Sequence, residues 1–146
     1  MKLSETACSF GLIQLKKLDR IRKRRIENYN YLFDKLEPLD IFHLVMPQDG
    51  SEPSWFGFPL TLKKSGLRES LGDFLESNGI RTRPFFAGNI TRHKPFRHLY
   101  REDQFPIADK LMRDTVFIGI GQWLGKTELD YIVEKIKEWI RLQSQY

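Results

Sequence analysis

Residues 4–36 place an apolar side chain at nearly every third or fourth position, and no other feature constrains the fold of this chain as tightly. Leu12, Leu15, Leu18, Ile21, Tyr29, Leu32, Phe33 and Leu36 keep helical spacing, with slippage around Arg22–Arg25. Ser4 can cap the start, Gly11 is the expected point of a break, and Pro38 ends the run. At the usual rise per residue such a helix approaches about 50 Å. That is longer than a compact domain of 146 residues needs. The spacing therefore predicts a connecting helix that runs from, or packs on, something else.

Through the same helix runs most of the basic charge: Lys16, Lys17, Arg20, Arg22, Lys23, Arg24 and Arg25, diluted by Asp19 and Glu27. Consecutive positions wrap the whole cylinder, so the cluster predicts a solvated helix face. The net charge of +5 is not accompanied by a nucleic-acid reader motif, and no nucleic-acid partner is expected. No apolar run approaches the ~18 residues of a membrane span. Glu5 stands where a signal peptide would be apolar, so the expected compartment is the reducing cytoplasm. Cys8 has no second cysteine to pair with, which excludes an internal disulfide framework, and it is expected to be a small buried residue on the helix.

Beyond Pro38, residues 41–46 read as a strand closed by Pro47, followed by a polar loop over 48–54. Residues 55–63 alternate, with Phe56, Phe58, Leu60 and Leu62 on one face, and Pro59 argues for an edge position or a bulge. A helix is expected over 67–78 with Leu67, Leu71, Phe74 and Leu75 inward, closed by a left-handed Gly79. A strand over 80–86 precedes an irregular stretch over 88–104, then a short helix to about Met112. A buried strand over 115–120, a turn over 121–125 and a helix over 127–142 complete the chain, with Thr127 and Asp130 as a near-capping box. Leu129, Ile132, Val133, Ile136 and Ile140 point inward on that last helix. The order predicts a two-layer α+β domain with a small sheet.

Few motifs carry chemistry. His43, His93 and His98 lack the spacing of a metal site, and Gly119-Ile120-Gly121 is only a fragment of a dinucleotide pattern. One stretch stands apart: R-T-R-P-F-F-A-G-N-I-T-R-H, Arg81 to His93. Gly88-Asn89 permits a tight turn with positive φ. Arg92, with Arg83, can present forked guanidinium donors to an anion, and Phe85-Phe86 a stacking wall. The same residues also fit a surface loop whose arginines pair with Asp or Glu.

G-N-I-T-R closely resembles the G-N-[IL]-T-R-Q-P signature of the DegT/StrS group of pyridoxal-phosphate-dependent nucleotide-sugar enzymes, above all its 4-keto-6-deoxyhexose 3-dehydrase branch. The likeness extends to K-L-S-E-T-A-C-S-F-G-L-I-Q-L-K-K-L-D, to R-E-S-L-G-D-F-L-E-S-N-G-I-R-T-R, and to A-D-K-L-M-R-D-T-V-F-I-G-I with L-D-Y-I-V-E-K-I. It implies the C-terminal small domain of the aspartate-aminotransferase (fold type I) architecture, with residues 1–37 as the connecting helix and 38–146 as the α+β domain. The large domain would lie outside this chain, and with it the lysine or histidine that decides the chemistry.

The cofactor implied is pyridoxal phosphate or pyridoxamine phosphate, with its ring as electron sink, and the substrate a nucleotide-linked 4-ketohexose. C3 dehydration and transamination are the two reactions implied, in deoxysugar or aminosugar and surface-polysaccharide biosynthesis such as that of lipopolysaccharide. The resemblance also implies a homodimer in the intact enzyme. It carries substrate contacts onto Asn89 and Arg92, with Arg83, Phe86 and His93 beside them. Lys2 falls in a loop that approaches the neighbouring subunit's site. Two departures stand out: His93-Lys94-Pro95 replaces Gln-Pro, and the Gly119–Trp123 turn is of another kind. The alternative is a non-catalytic binding module built on the same domain.

Overall fold

A computed structural model describes residues 4–99, 101 and 104–143. Helix α1 (Glu5–Lys16) and helix α2 (Leu18–Leu36) make up the long N-terminal element. The Ser4 hydroxyl caps α1 by accepting the Ala7 N–H at 3.2 Å. The break falls at Lys17 and not at Gly11: Lys17 N–H bonds to the Gln14 carbonyl, and a new helix begins. Gly11 has full helical hydrogen bonding around it, so its lower propensity does not interrupt the helix. Instead the bend separates the stretch that buries nothing from the stretch that packs on the core. Cys8, on α1, is exposed and not buried as its residue type suggested, in a helix none of whose residues is buried among those described.

The sheet consists of β1 (Phe42–His43), β2 (Gly57–Leu62), β3 (Thr82–Pro84) and β4 (Thr115–Gly119) in the order β1-β2-β4-β3, antiparallel throughout. Helices α3 (Arg68–Ser77), α4 (Pro106–Asp114) and α5 (Lys126–Gln143) complete it. The α+β expectation holds, but the outer strands are shorter than the sequence pattern indicated. For β1 the reason is local. Its register pairs Phe42 with Leu62 and His43 with Thr61, so its continuation would set Val45 against Pro59, which has no N–H to offer. Val45 turns away, and its carbonyl accepts the Tyr29 hydroxyl. Pro59 thus sits where β2 has β4 on one side only, an edge position within a central strand.

Alternation along β2 and β4 sends Phe58, Leu60, Val116 and Ile118 to one face, where they meet α2, α3 and α5. Leu32 and Leu36 of α2, Leu71 and Leu75 of α3 and Ile136 of α5 are fully buried there. Burial of each such side chain contributes roughly 1.5–3 kcal/mol. Trp139 is buried too, its indole N–H donating to the Ser70 hydroxyl at 3.1 Å, a contact that ties α5 to α3. The basic segment is only in part a solvated face. Arg24 donates to the Leu124 carbonyl at 2.9 Å, and the buried Asn28 to that of Gly121 at 3.0 Å. These two bonds fasten α2 to the turn between β4 and α5. That turn caps α5 through Glu128, whose carboxylate accepts the Gly125 N–H at 2.8 Å, and not through Thr127. Asp130 accepts the Tyr31 hydroxyl instead.

No described helix is long and apolar enough to cross a membrane.

Candidate functional site

The opposite face of the sheet carries Arg83 and Phe86, two of the residues that the sequence singled out. Gly57, Pro59 and Phe117 alternate with the core residues and therefore point away from the core. Arg83 lies directly across from Phe117 in the β3–β4 register, so it shares that face. The Phe117 ring lies over Gly57 so closely that a Cβ there would come within 2.6 Å of it. Only glycine permits this approach.

Phe86 follows β3 with φ of 50°, a left-handed conformation that is uncommon for an aromatic residue and costs about 1–2 kcal/mol. The strain brings its ring onto Phe117, stacked at a centroid distance of 5.7 Å, and edge-on to Phe85 and Phe56. Together with Tyr29, Val45 and Trp55 these rings line an apolar cleft of about 190 Å³. Phe56 and Phe86 remain 54% and 67% exposed, so the face is open.

From Phe85 the loop closes on itself. Gly88 N–H bonds to the Phe85 carbonyl at 3.1 Å, and His93 Nε2–H donates to the Ala87 carbonyl at 2.7 Å. Asn89 is buried and caps a 3-10 turn over Ile90–Arg92: its Oδ1 accepts the Thr91 N–H at 3.1 Å and the Thr91 hydroxyl at 2.6 Å. Its amide nitrogen donates to Asp109 Oδ1 at 2.8 Å. Arg92 then meets the same carboxylate side-on, Nε to Oδ1 at 2.5 Å and Nη2 to Oδ2 at 2.9 Å. Hydrogen bonds from Arg92 and then Asn89 hold the Asp109 carboxyl below the usual carboxylate range. Gly88 has φ of 61° and rests against Met112 of α4.

The structure thus brings Asn89, Arg92 and His93 into one ordered loop, with Phe86 and Arg83 on the adjoining sheet face. Arg92 makes the pairing with an acid that was one of the two readings open to it. Asn89 shapes the turn from within rather than presenting its side chain at the surface. Lys2 lies outside the described residues. His43 and His98 are exposed, and among the described residues no three His, Cys, Asp or Glu side chains gather as metal ligands. Sequence reasoning missed Asp109, Met112, Phe117 and Gly57. Asp109 carries only the signal of an acid in a first helical turn, which says nothing of a partner seventeen residues away.

The sequence profile of the DegT/DnrJ/EryC1/StrS aminotransferase family matches residues 1–137. The lipopolysaccharide biosynthesis protein RfbH of Salmonella typhimurium is 37% identical over 97% of this chain and 34% of its own length. GDP-4-keto-6-deoxy-D-mannose 3-dehydratase of Escherichia coli O55:H7 is 32% identical over 91% of this chain and 35% of its own length. A crystal structure of GDP-4-keto-6-deoxymannose-3-dehydratase with a trapped PLP-glutamate geminal diamine superposes with a TM-score of 0.73 at 31% identity, over 86% of this chain and 33% of that one. The chain spans about a third of the length of the curated relatives it matches. The shared architecture is the small α+β domain of fold type I that the sequence led us to expect.

Proposed function

This chain belongs to the DegT/DnrJ/EryC1/StrS aminotransferase family, and we propose that it is the C-terminal small domain of a pyridoxal- or pyridoxamine-phosphate-dependent enzyme acting on a nucleotide-linked 4-ketohexose. Residues 1–37 form the connecting helix and 38–146 the small domain. The reaction is C3 dehydration, in surface-polysaccharide deoxysugar synthesis in the cytoplasm. The G-N-I-T-R loop and the 3-dehydratase names among the relatives favour it over transamination. One observation carries the reading: Asp109 holds Arg92 on the turn that follows Phe85 and Phe86, whose rings belong to an open aromatic face.

A second observation weighs against a free-standing binding module. Phe10, Leu12, Ile13, Leu15 and Leu18 are each more than half exposed, an apolar surface suited to further protein rather than to water. The working enzyme is a homodimer in which the first residues, Lys2 included, approach the partner subunit's site.

Among the described residues, the two sheltered carboxylates do not seat the cofactor. Asp109 uses both oxygens on Arg92 and Asn89, and the buried Asp114 faces Ser65, Lys110 and Arg113, so neither carboxylate is presented to a pyridine nitrogen. The chain's contribution is to the sugar nucleotide. Arg92 meets its anionic part, the aromatic face excludes water beside it, and Asn89 keeps the turn in shape. Two results are expected. The chain alone, titrated with pyridoxal phosphate, gives no saturable visible absorption band; such a band would place the anchoring amine within these residues. In the intact enzyme, Arg92→Ala lowers kcat/KM for the nucleotide sugar on the order of tenfold, the loss of a charge-assisted contact, with the thermal midpoint nearly unchanged. A parallel fall in melting temperature would assign Arg92 to the fold. The direct assay supplies a GDP- or dTDP-linked 4-keto-6-deoxyhexose with glutamate and follows products by mass; a 4-amino sugar would replace dehydration by transamination, and no product would refute both.

A further inference from the structure

We propose that Asp109 is a positioning residue for Arg92, setting the plane of its guanidinium from a separate helix before any substrate arrives. The inference rests on the functional reading above and adds a residue to it. Asp109 and Met112 stand one turn apart on α4, on the same face. Asp109 takes Arg92 and Asn89, while Met112 lies under Gly88, so a single helix face templates both ends of the Gly88–Arg92 segment.

The pair is not an ordinary surface ion pair. The Asp109 side chain is 12% exposed against 45% for Arg92: the acceptor is sheltered and the cation faces outward. An exposed pair of long, mobile side chains contributes little and fixes no geometry. Here two parallel hydrogen bonds engage the Nε edge of the guanidinium, and a third donor, the Asn89 amide, orients the carboxylate itself. An arginine held this way gives up its rotamer freedom during folding rather than during binding, which lowers the entropic cost of capturing an anion. Arg113, the other cation acting on Asp109, is directed with its guanidinium to Asp114.

The test uses the intact enzyme with the nucleotide 4-ketohexose as probe. Asp109→Asn has one acceptor oxygen for three donors, so the fork is lost while the side-chain volume is kept. KM is expected to rise about fivefold with kcat within about twofold, a split that belongs to lost preorganisation of binding. Asp109→Glu, which keeps the carboxylate, is expected to recover part of the loss. The double variant Arg92→Ala/Asp109→Asn is expected to show the KM of Arg92→Ala alone, because Asp109 reaches the ligand through that side chain, its bond to Asn89 serving to orient the carboxylate. An unchanged KM in Asp109→Asn would overturn the proposal. So would a lowered KM, which would make the carboxylate a competitor for Arg92, and so would additive losses with a matching fall in melting temperature, which would assign it to the fold. A wild-type enzyme inactive on every nucleotide 4-ketohexose would remove the functional reading and this inference together, whereas normal wild-type turnover with an unaltered Asp109→Asn removes the inference alone.

Discussion

Replacing Asp114 by alanine is expected to lower the free energy of unfolding of this chain by about 3 kcal/mol, at the lower end of what breaking a buried ion pair costs. The carboxylate is fully buried at the end of α4. A negative charge at a helix C-terminus is unfavourable in the helix dipole, so the site is tolerable only through its partners. Those are the Ser65 hydroxyl at 2.8 Å, Lys110 at 3.2 Å and Arg113 at 3.2 Å. Lys110 also donates to the Leu62 carbonyl at 3.1 Å, so the cluster fastens α4 to the end of β2. The cost stays at the lower end because the Arg113 side chain is 58% exposed and can turn to water. Burial alone would raise the Asp114 carboxyl, but the hydrogen bonds from Ser65, Arg113 and Lys110 outweigh it and hold the group below its usual value.

The sign for pH follows from that lowered value. A carboxyl that is more acidic folded than unfolded stabilises the protein above the unfolded value near 4, and the contribution disappears as pH falls through the folded value. Asp109 and Glu76 are shifted the same way, so wild type should lose stability in acid in any case. The Asp114 share is the difference from Asp114→Asn. Urea midpoints of the two should converge as pH drops below about 4. Curves that stay parallel from neutral pH to acid would refute this account of the cluster.

Gly88→Ala is expected to lower kcat/KM of the intact enzyme on the order of tenfold, as much as losing the Arg92 contact outright. Two effects coincide at this residue. Its φ of 61° strains any side chain, and an added Cβ would meet Met112 Cβ and Cγ at 2.5 Å and its Cα at 3.1 Å. The Cα belongs to α4 and cannot swing aside, so the loop must lift, taking Asn89 and Arg92 off Asp109. Stability should fall far less than activity, since the loop buries little beyond Asn89 and Thr91. Steady-state kinetics beside thermal melts separate the two, and a Gly88→Ala enzyme with wild-type kcat/KM would show that the loop's seat on α4 is immaterial.

How legible these features were differs by kind. Helices α3 and α5 were readable to within about two residues, because their apolar spacing is long and strict. The outer strand β1 was overestimated because the pattern of residues 41–46 knows nothing of Pro59, whose missing N–H ends the pairing. The Arg81–His93 loop declared itself through Gly88, Asn89 and its three arginines. Its counterpart Asp109 did not, and neither did the Phe117 ring seated over Gly57.

Alone, the linear order of residues determined the α+β class, the inward faces of its helices, the family likeness and the place of the cationic loop. These are set by local periodicity, by turn chemistry and by short motifs, all of which act between near neighbours in the chain. Tertiary structure alone decided which acid takes Arg92, that Asn89 works from inside the turn, that the long helix bends at Lys17, and that one sheet face stays open and aromatic. Such choices depend on contacts between residues far apart in sequence. They are made by packing and by the need to pair every sheltered polar group, which no local pattern records.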